Sequence, residues 1–508
     1  MNNNTQRIAK NTLLLYFRQI LIMLTSLYTV RVVLNVLGAE DYGTYNVTAG
    51  VVTMFGFLSV VMAAASQRYF SFDLGKNDIE HLKTTFSVTF EIYLLLVIII
   101  IVLAETLGLW FINNKLVIPP ERIIAVNWIY QAAILSFLFT LITTPYMACI
   151  IAHENMNVYA YVSIIEVLLK LGIVFVLKII PFDKLIVYGI LLAVVSFINT
   201  TIYRVYCRFH YEECKIKFVR DKILFKEIIS YSGWNLFGSI AAVFKTQVMN
   251  ILLNQFYGVL INAARSIAAS VNSAVTSFSS NFSQALNPQI VKSYASGNKD
   301  YMQSLAFRGC KLVFFLMFIF ILPLYLEMDT ILQLWLKNPP EYAALFTRLA
   351  LLDPLSEAMT MPLITMIEAT GNIKLYKSLS GIILLLNLPI SWLFLHNGAN
   401  AEVVMIIAIC LTFLVACVRL VISSLYLNFS IFTFLHNVVL RCVFVTGISV
   451  SLSYLIHQIV SKNTLLSFLS IFLIVMITMI CILLFGFNKT DKKYVVYFFK
   501  EKFKGGKK

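Results

Sequence analysis

Charge is scarce in this chain. Asp, Glu, Lys and Arg together make up 13% of its 508 residues, against 59% hydrophobic residues and a mean hydropathy of +0.83. Soluble domains carry about 25% charged residues, so a soluble or disordered protein is excluded. Sustained apolar–polar alternation is missing too, which removes a membrane β-barrel. Cysteine is present without a framework. Cys149, Cys310, Cys410, Cys417, Cys442 and Cys481 fall in apolar runs or at their ends, and Cys207 and Cys214 fall in a basic loop. No Cys-x-x-Cys pair or zinc-type Cys/His spacing stands out, so the cysteines read as packing residues, with no disulfide, metal or cofactor. Catalytic signatures are also lacking: there is no Gly-x-Ser-x-Gly, no Walker-type phosphate loop and no His-Glu-x-x-His. The expectation is a protein that is not an enzyme.

What the chain has is long apolar runs, such as "FSVTFEIYLLLVIIIIVLAETLGLWFI" and "TLLSFLSIFLIVMITMICILLFGF". Each is long enough to cross roughly 30 Å of hydrocarbon as a helix. The fold class expected is an all-α polytopic membrane protein with about 14 transmembrane helices. The second, eighth and tenth are unusually polar or interrupted by proline. The basic start "MNNNTQRIAKNTLLLYF" has the look of a secretory leader, but Arg18 interrupts its apolar run and no small-residue cleavage site follows. It is read as the first span.

Lys and Arg are unevenly placed. Arg7 and Lys10 precede span one, seven bases crowd residues 204–226, and eight lysines lie between Lys489 and Lys508. The alternate loops "GAEDYG", "NQFYGVL" and "HNGANAEV" carry none. The positive-inside rule then predicts both termini to be cytoplasmic. The net charge of +15 is largely this inward bias, so its partner is the anionic lipid bilayer and no nucleic acid.

The chain also repeats itself. "TPYMACIIAHENMNVYAYVSIIEVLLKLGI" (144–173) aligns without a gap on "MPLITMIEATGNIKLYKSLSGIILLLNLPI" (361–390), matching Pro145 with Pro362, Asn155 with Asn372, Tyr159 with Tyr376 and Ser163 with Ser380. "QRYFSFDLGKND" likewise echoes "QIVKSYASGNKD". Two six-helix lobes in parallel repeat are expected to enclose a central site. The organisation expected is an N-lobe at 1–208, a basic cytoplasmic linker at 209–226, a C-lobe at 227–428, two added spans at 429–488 and a basic tail at 489–508.

"NTLLLYFRQILIMLTSLYTVRVVLNVLGAEDYGTYNVTAGVV", with the later "QRYFSFDLGKND", resembles the amino-terminal region of bacterial polysaccharide-biosynthesis membrane proteins. These are the O-antigen and capsule flippases of the multidrug/oligosaccharidyl-lipid/polysaccharide (MOP) exporter superfamily, and the sharpest match is "LGAEDYG". The resemblance implies movement of an undecaprenyl-pyrophosphate-linked oligosaccharide across the inner membrane, beside other polysaccharide-assembly membrane proteins. The alternatives are a peptidoglycan-precursor flippase or an ion-coupled drug exporter of the same fold.

A lipid-facing helix does not carry arginine and hydroxyls cheaply. In span eight, Arg265, Asn272, Thr276, Ser279 and Ser283 fall on one face at 100° per residue. In span one, Asn11, Arg18, Thr25 and Thr29 do the same. These stripes, with Lys245 in span seven, are the candidate substrate-binding residues, because arginine suits phosphate oxygens and hydroxyls suit sugars. Lys170 and Glu166 have the spacing of an i, i+4 pair. Glu91, Glu357 and Glu368 are candidates for a coupling ion, which stays unassigned.

The charge asymmetry generates a topology test. In a background lacking Cys207 and Cys214, Ala39→Cys should react with an impermeant thiol reagent in intact cells, and Lys217→Cys only after permeabilisation. Labelling of position 217 but not 39 from outside would overturn the orientation.

Overall fold

The computed structural model describes residues 3–487 apart from 54, 116–119, 217–220, 258, 337–338 and 461–463. Lys217 and the expected tail 489–508 lie outside the described residues. All regular structure among the described residues is helical, as a lipid environment that offers no backbone partner requires. Eight of the helices are long and apolar enough to cross a membrane. The chain forms two compact units, residues 7–236 and residues 237–508 with 1–6.

The first unit contains α1 (Asn3–Leu37), α2 (Ala39–Thr53), α3 (Gly56–Lys76), α4 (Ile79–Leu103), α5 (Leu109–Lys115), α6 (Ile123–Ala152), α7 (Met156–Ile179) and α8 (Lys184–His210). Its corners are set by local chemistry. Asn77 takes a left-handed conformation (φ 56°) that ends α3, and the Asp78 carboxylate then caps α4 by accepting the His81 N–H at 3.0 Å. Asp183 caps α8 in the same way, accepting from Leu185 N at 2.9 Å. The Arg122 guanidinium donates to both Asp183 and Asp41 at 2.7 Å, so the "LGAEDYG" turn is held to the start of α8. Between helices, packing and hydrogen bonds do the work that hydrophobicity does in water. Phe70, Phe86 and Tyr146 stack from α3, α4 and α6, and Thr143 donates to Thr200 across α6 and α8 at 2.7 Å.

The second unit takes in most of α9 (Lys222–Tyr257), then α10 (Val259–Ala295), α11 (Lys299–Leu326), α12 (Met328–Leu336), α13 (Ala343–Ala358), α14 (Met361–Thr370), α15 (Lys374–Leu385), α16 (Asn387–His396), α17 (Val403–Leu427), α18 (Ile431–Phe434), α19 (Leu440–Val460) and α20 (Thr464–Cys481). Two of its corners copy those of the first unit. Gly297 (φ 78°) and the Asn298 cap of α11 stand where Asn77 and Asp78 stand. Gly371 (φ 80°) stands 217 residues after Glu154 (φ 62°) at the matching corner. The units differ where the prolines differ. α6 runs unbroken through Pro145, whereas its counterpart is divided between α13 and α14. Pro362, the match of Pro145, stands in the first turn of α14, where its missing N–H has no helical partner to lose, and Pro354 lies inside α13, where it removes one helical hydrogen bond.

A π-helical segment at Ala104–Gly108 joins α4 to α5, and the Tyr130 hydroxyl donates to the Ala104 carbonyl at 2.7 Å. A Cβ at Gly108 would overlap that hydroxyl. Gly108→Ala should therefore lower stability by about 1–3 kcal/mol through overpacking, and Tyr130→Phe by about 1 kcal/mol through the lost hydrogen bond. The double variant should be more stable than the sum of the two, since the clashing oxygen is gone. Thermal unfolding in detergent reads this coupling, and strict additivity would refute it.

Candidate functional site

Four helices of the second unit converge on one carboxylate. Lys245, 7% exposed on α9, donates to both oxygens of Asp353 on α13 at 3.0 Å and to the Thr412 hydroxyl on α17 at 2.6 Å. Arg265, equally buried on α10, lies within electrostatic reach of the same carboxylate. Asp353 precedes Pro354, which cannot donate to the Ala350 carbonyl, so the helix is loosened where the acid sits. The cluster holds two cations against one carboxylate.

The predicted stripe of α10 continues from Arg265, but its members differ. Arg265 Nε and Asn272 Oδ1 are buried without a hydrogen-bond partner. Thr276 and Ser279 turn their hydroxyl protons back to their own helix, onto the Asn272 and Thr276 carbonyls at 2.9 Å. They offer acceptor lone pairs to a ligand and no spare proton. Ser283 is buried, with its Oγ 3.6 Å from Met361 Sδ.

In the first unit, the polar face of α1 meets protein at two of its four members. Asn11 donates to the Glu154 carbonyl at 3.1 Å, at the α6–α7 corner. Arg18 lies over the Tyr159 ring, 4.5 Å from its centroid, and reaches Ser163 Oγ at 3.4 Å. Thr25 is half-buried, two turns further along. Lys170 and Glu166 pair at 2.6 Å, and Asn199 donates to the other Glu166 oxygen at 3.0 Å. Of the three acids named for a coupling ion, Glu357 is held by Arg419 and Glu368 by Lys377, each at 3.0 Å in the second unit, and Glu91 is half-buried on α4.

Asp353 was absent from the residues singled out in the sequence, although an acid in an apolar segment beside a proline is itself a signal. Arg419 was absent too. It is 3% exposed on α17 and donates to Tyr376 OH at 2.9 Å and Thr360 Oγ1 at 2.8 Å, besides Glu357.

This architecture has close structural likenesses. An outward-facing multidrug resistance MATE family transporter of the MOP superfamily superposes with a TM-score of 0.71 at 12% identity, over 84% of this chain and 96% of that one. A MOP superfamily transporter from Pyrococcus furiosus gives 0.68 at 12%, over 84% and 96%. The MATE transporter ClbM in complex with Rb+ gives 0.66 at 15%, over 82% and 94%. The fold is that of the MATE transporters. The MatE family model matches residues 236–393, less than a third of the chain. No curated protein matches the sequence. This MATE-type fold makes the chain a polytopic membrane protein, and the MatE match covers α10, α13 and all but the first turns of α9, including Lys245, Arg265 and Asp353.

Removing one partner from a buried pair costs more than removing both. Asp353→Leu leaves Lys245 and Arg265 together without their carboxylate and should lower stability by about 3 kcal/mol. Lys245→Met leaves Arg265 beside Asp353 and should cost less. The double variant Lys245→Met/Asp353→Leu should recover part of the loss of Asp353→Leu. Thermal melts of the three purified variants test this, and equal losses for the two single changes would overturn the shared-carboxylate account.

Proposed function

We propose that the chain is a plasma-membrane transporter of MATE-type fold that moves an undecaprenyl-pyrophosphate-linked oligosaccharide from the inner to the outer leaflet. It works by alternating access and serves O-antigen, capsule or exopolysaccharide assembly. The observation that carries this reading is the excess of buried positive charge on the α9–α10–α13 cluster, next to a helix face with unsatisfied polar atoms. A pyrophosphate entering a partly dehydrated site loses hydration that fixed cations and hydrogen bonds replace. The acceptor oxygens of Thr276 and Ser279 suit the hydroxyl protons of a sugar. A peptidoglycan-precursor flippase would draw on the same chemistry. The function needs no catalytic residue, in keeping with a transporter fold.

A second reading is an ion-coupled drug exporter, and the similar solved structures favour it as a class, since they include a multidrug resistance transporter. Asp353 is the feature of this chain that suits it, as a half-buried acid for a cation. The polarity of a site on this fold is not fixed, however. The Pyrococcus furiosus protein is described as having a binding pocket of reverse polarity that suggests a different function.

Complementation separates the two. Arg265→Ala and Arg18→Ala should each reduce surface polysaccharide at least tenfold in a flippase-null strain, with protein still inserted, and lysine should restore part of it because charge remains but the planar fork is lost. If both alanine variants complement at native expression, the charged-site mechanism is wrong. If the intact chain confers resistance to organic cations and Asp353→Asn abolishes it, the exporter reading replaces ours. Arg18→Ala failing through loss of protein from the membrane would assign that residue to packing on Tyr159.

A further inference from the structure

Away from the transport cluster, the first unit gathers five metal-ligating side chains that lie far apart in sequence. Cys149 and His153 are four residues apart at the end of α6, hence on one helix face. Glu213 and Cys214 come from the short 3₁₀ turn Glu212–Cys214 that follows α8, and Cys207 from the last turn of α8 itself. Cys207 thus lies on α8 and not in the basic loop, Cys214 lies in the connection that follows, and both are buried in the core that holds Tyr146 and Phe86. The donor atoms of Cys149, His153 and Glu213 all lie within 4.8 Å of one another. Cys214 Sγ is 3.7 Å from Cys149 Sγ, Cys149 Sγ is 3.5 Å from Glu213 Oε1, and His153 Nε2 is 2.5 Å from that oxygen.

We infer that Cys149, His153, Glu213 and Cys214 form a structural zinc site that fastens the connection between the two halves to the α6–α7 corner. The spacings carry the argument. Around a tetrahedral zinc with ordinary bond lengths, two sulfurs stand about 3.8 Å apart and a sulfur and a carboxylate oxygen about 3.5 Å apart. Those are the Cys149–Cys214 and Cys149–Glu213 distances; the mutually close set is Cys149, His153 and Glu213, and Cys214 has to close in from beside Cys149 to complete the shell. The His153–Glu213 edge is a direct hydrogen bond, and it lengthens by about 0.8 Å when a metal takes its place.

The surroundings are those of a built site. The His153 ring stacks on Tyr211 at 4.2 Å and 11°, and Asn155 donates to the Tyr211 hydroxyl, so the imidazole is oriented before any metal arrives. His153 is 24% exposed at its side chain, which provides an entry path, while Glu213 is 5% exposed. Zinc with two thiolates and one carboxylate carries a net charge of −1, and Arg204, Arg208 and Lys215 line the adjoining cavity with Cys214. The Lys/Arg asymmetry puts this end of the unit on the cytoplasmic side, where thiols stay reduced and available to a metal.

The test uses the full-length protein in detergent, stripped of metal under reducing conditions and titrated with cobalt(II). One equivalent should produce the thiolate-to-cobalt charge-transfer band and the visible bands of a tetrahedral site, and zinc should bleach both. Cys149→Ser and Cys214→Ser should each remove about half of the charge-transfer intensity and weaken binding at least tenfold. Cys410→Ser should change nothing. His153→Gln, at the exposed edge, should weaken binding at least tenfold with both sulfur contributions kept, and it carries the test if the serine variants fail to fold. Three results would overturn the site: no tetrahedral spectrum at one equivalent, binding unchanged in His153→Gln, or a disulfide among Cys149, Cys207 and Cys214 in protein taken from reducing cytoplasm.

Discussion

A charge placed among lipid-embedded helices must find its compensation within the fold, because hydrocarbon supplies neither water nor counter-ion. Much of the tertiary polar structure here follows from that demand. Lys245 finds Asp353, Arg419 finds Glu357, Lys377 finds Glu368 and Lys170 finds Glu166. All but the last join two different helices, so each pair also fixes how helices stand against one another. Arg18 meets a hydroxyl and an aromatic face, and Arg265 stands within electrostatic reach of the carboxylate that Lys245 engages.

Most of the fold was legible in the chain because membrane helices announce themselves locally. Length and apolarity place eight of them, and the left-handed corners at Asn77, Glu154, Gly297 and Gly371 sit at the polar breaks that separate the apolar runs. The partners of the charged groups were not legible. Lys245 and Asp353 are 108 residues apart, and Arg419 and Glu357 are 62 apart. No local periodicity links residues at such distances. The polar face of α10 is visible in the sequence, but the direction in which its hydroxyls point is not, since Thr276 and Ser279 satisfy themselves on their own backbone.

The cysteines show the same limit from the other side. Cys149-x-x-x-His153 has helical i, i+4 spacing and so places two ligand types on one face, a signal present in the sequence. Its significance depends on Glu213 and Cys214 arriving from beyond α8, which only the tertiary fold reveals. A search for metal sites by short Cys/His spacing misses an arrangement whose halves lie some 60 residues apart.

The internal repeat explains why likeness of fold carries so little about the solute. Backbone constraints are copied between the halves: the same corners turn through positive φ at offsets of 217 and 220 residues. Charges are not copied. Tyr159 and Tyr376 are matched positions, and each meets an arginine, but Arg18 comes from α1 while Arg419 comes from α17. A corner demands one conformation at one residue, whereas a buried charge demands only that some partner lie within reach, from whichever neighbouring helix. The scaffold is therefore held tightly and the charge pattern loosely within this single chain. Likeness of fold to a chain that shares 12% of its residues therefore says little of the solute, which has to be argued from Arg265, Lys245 and Asp353 themselves.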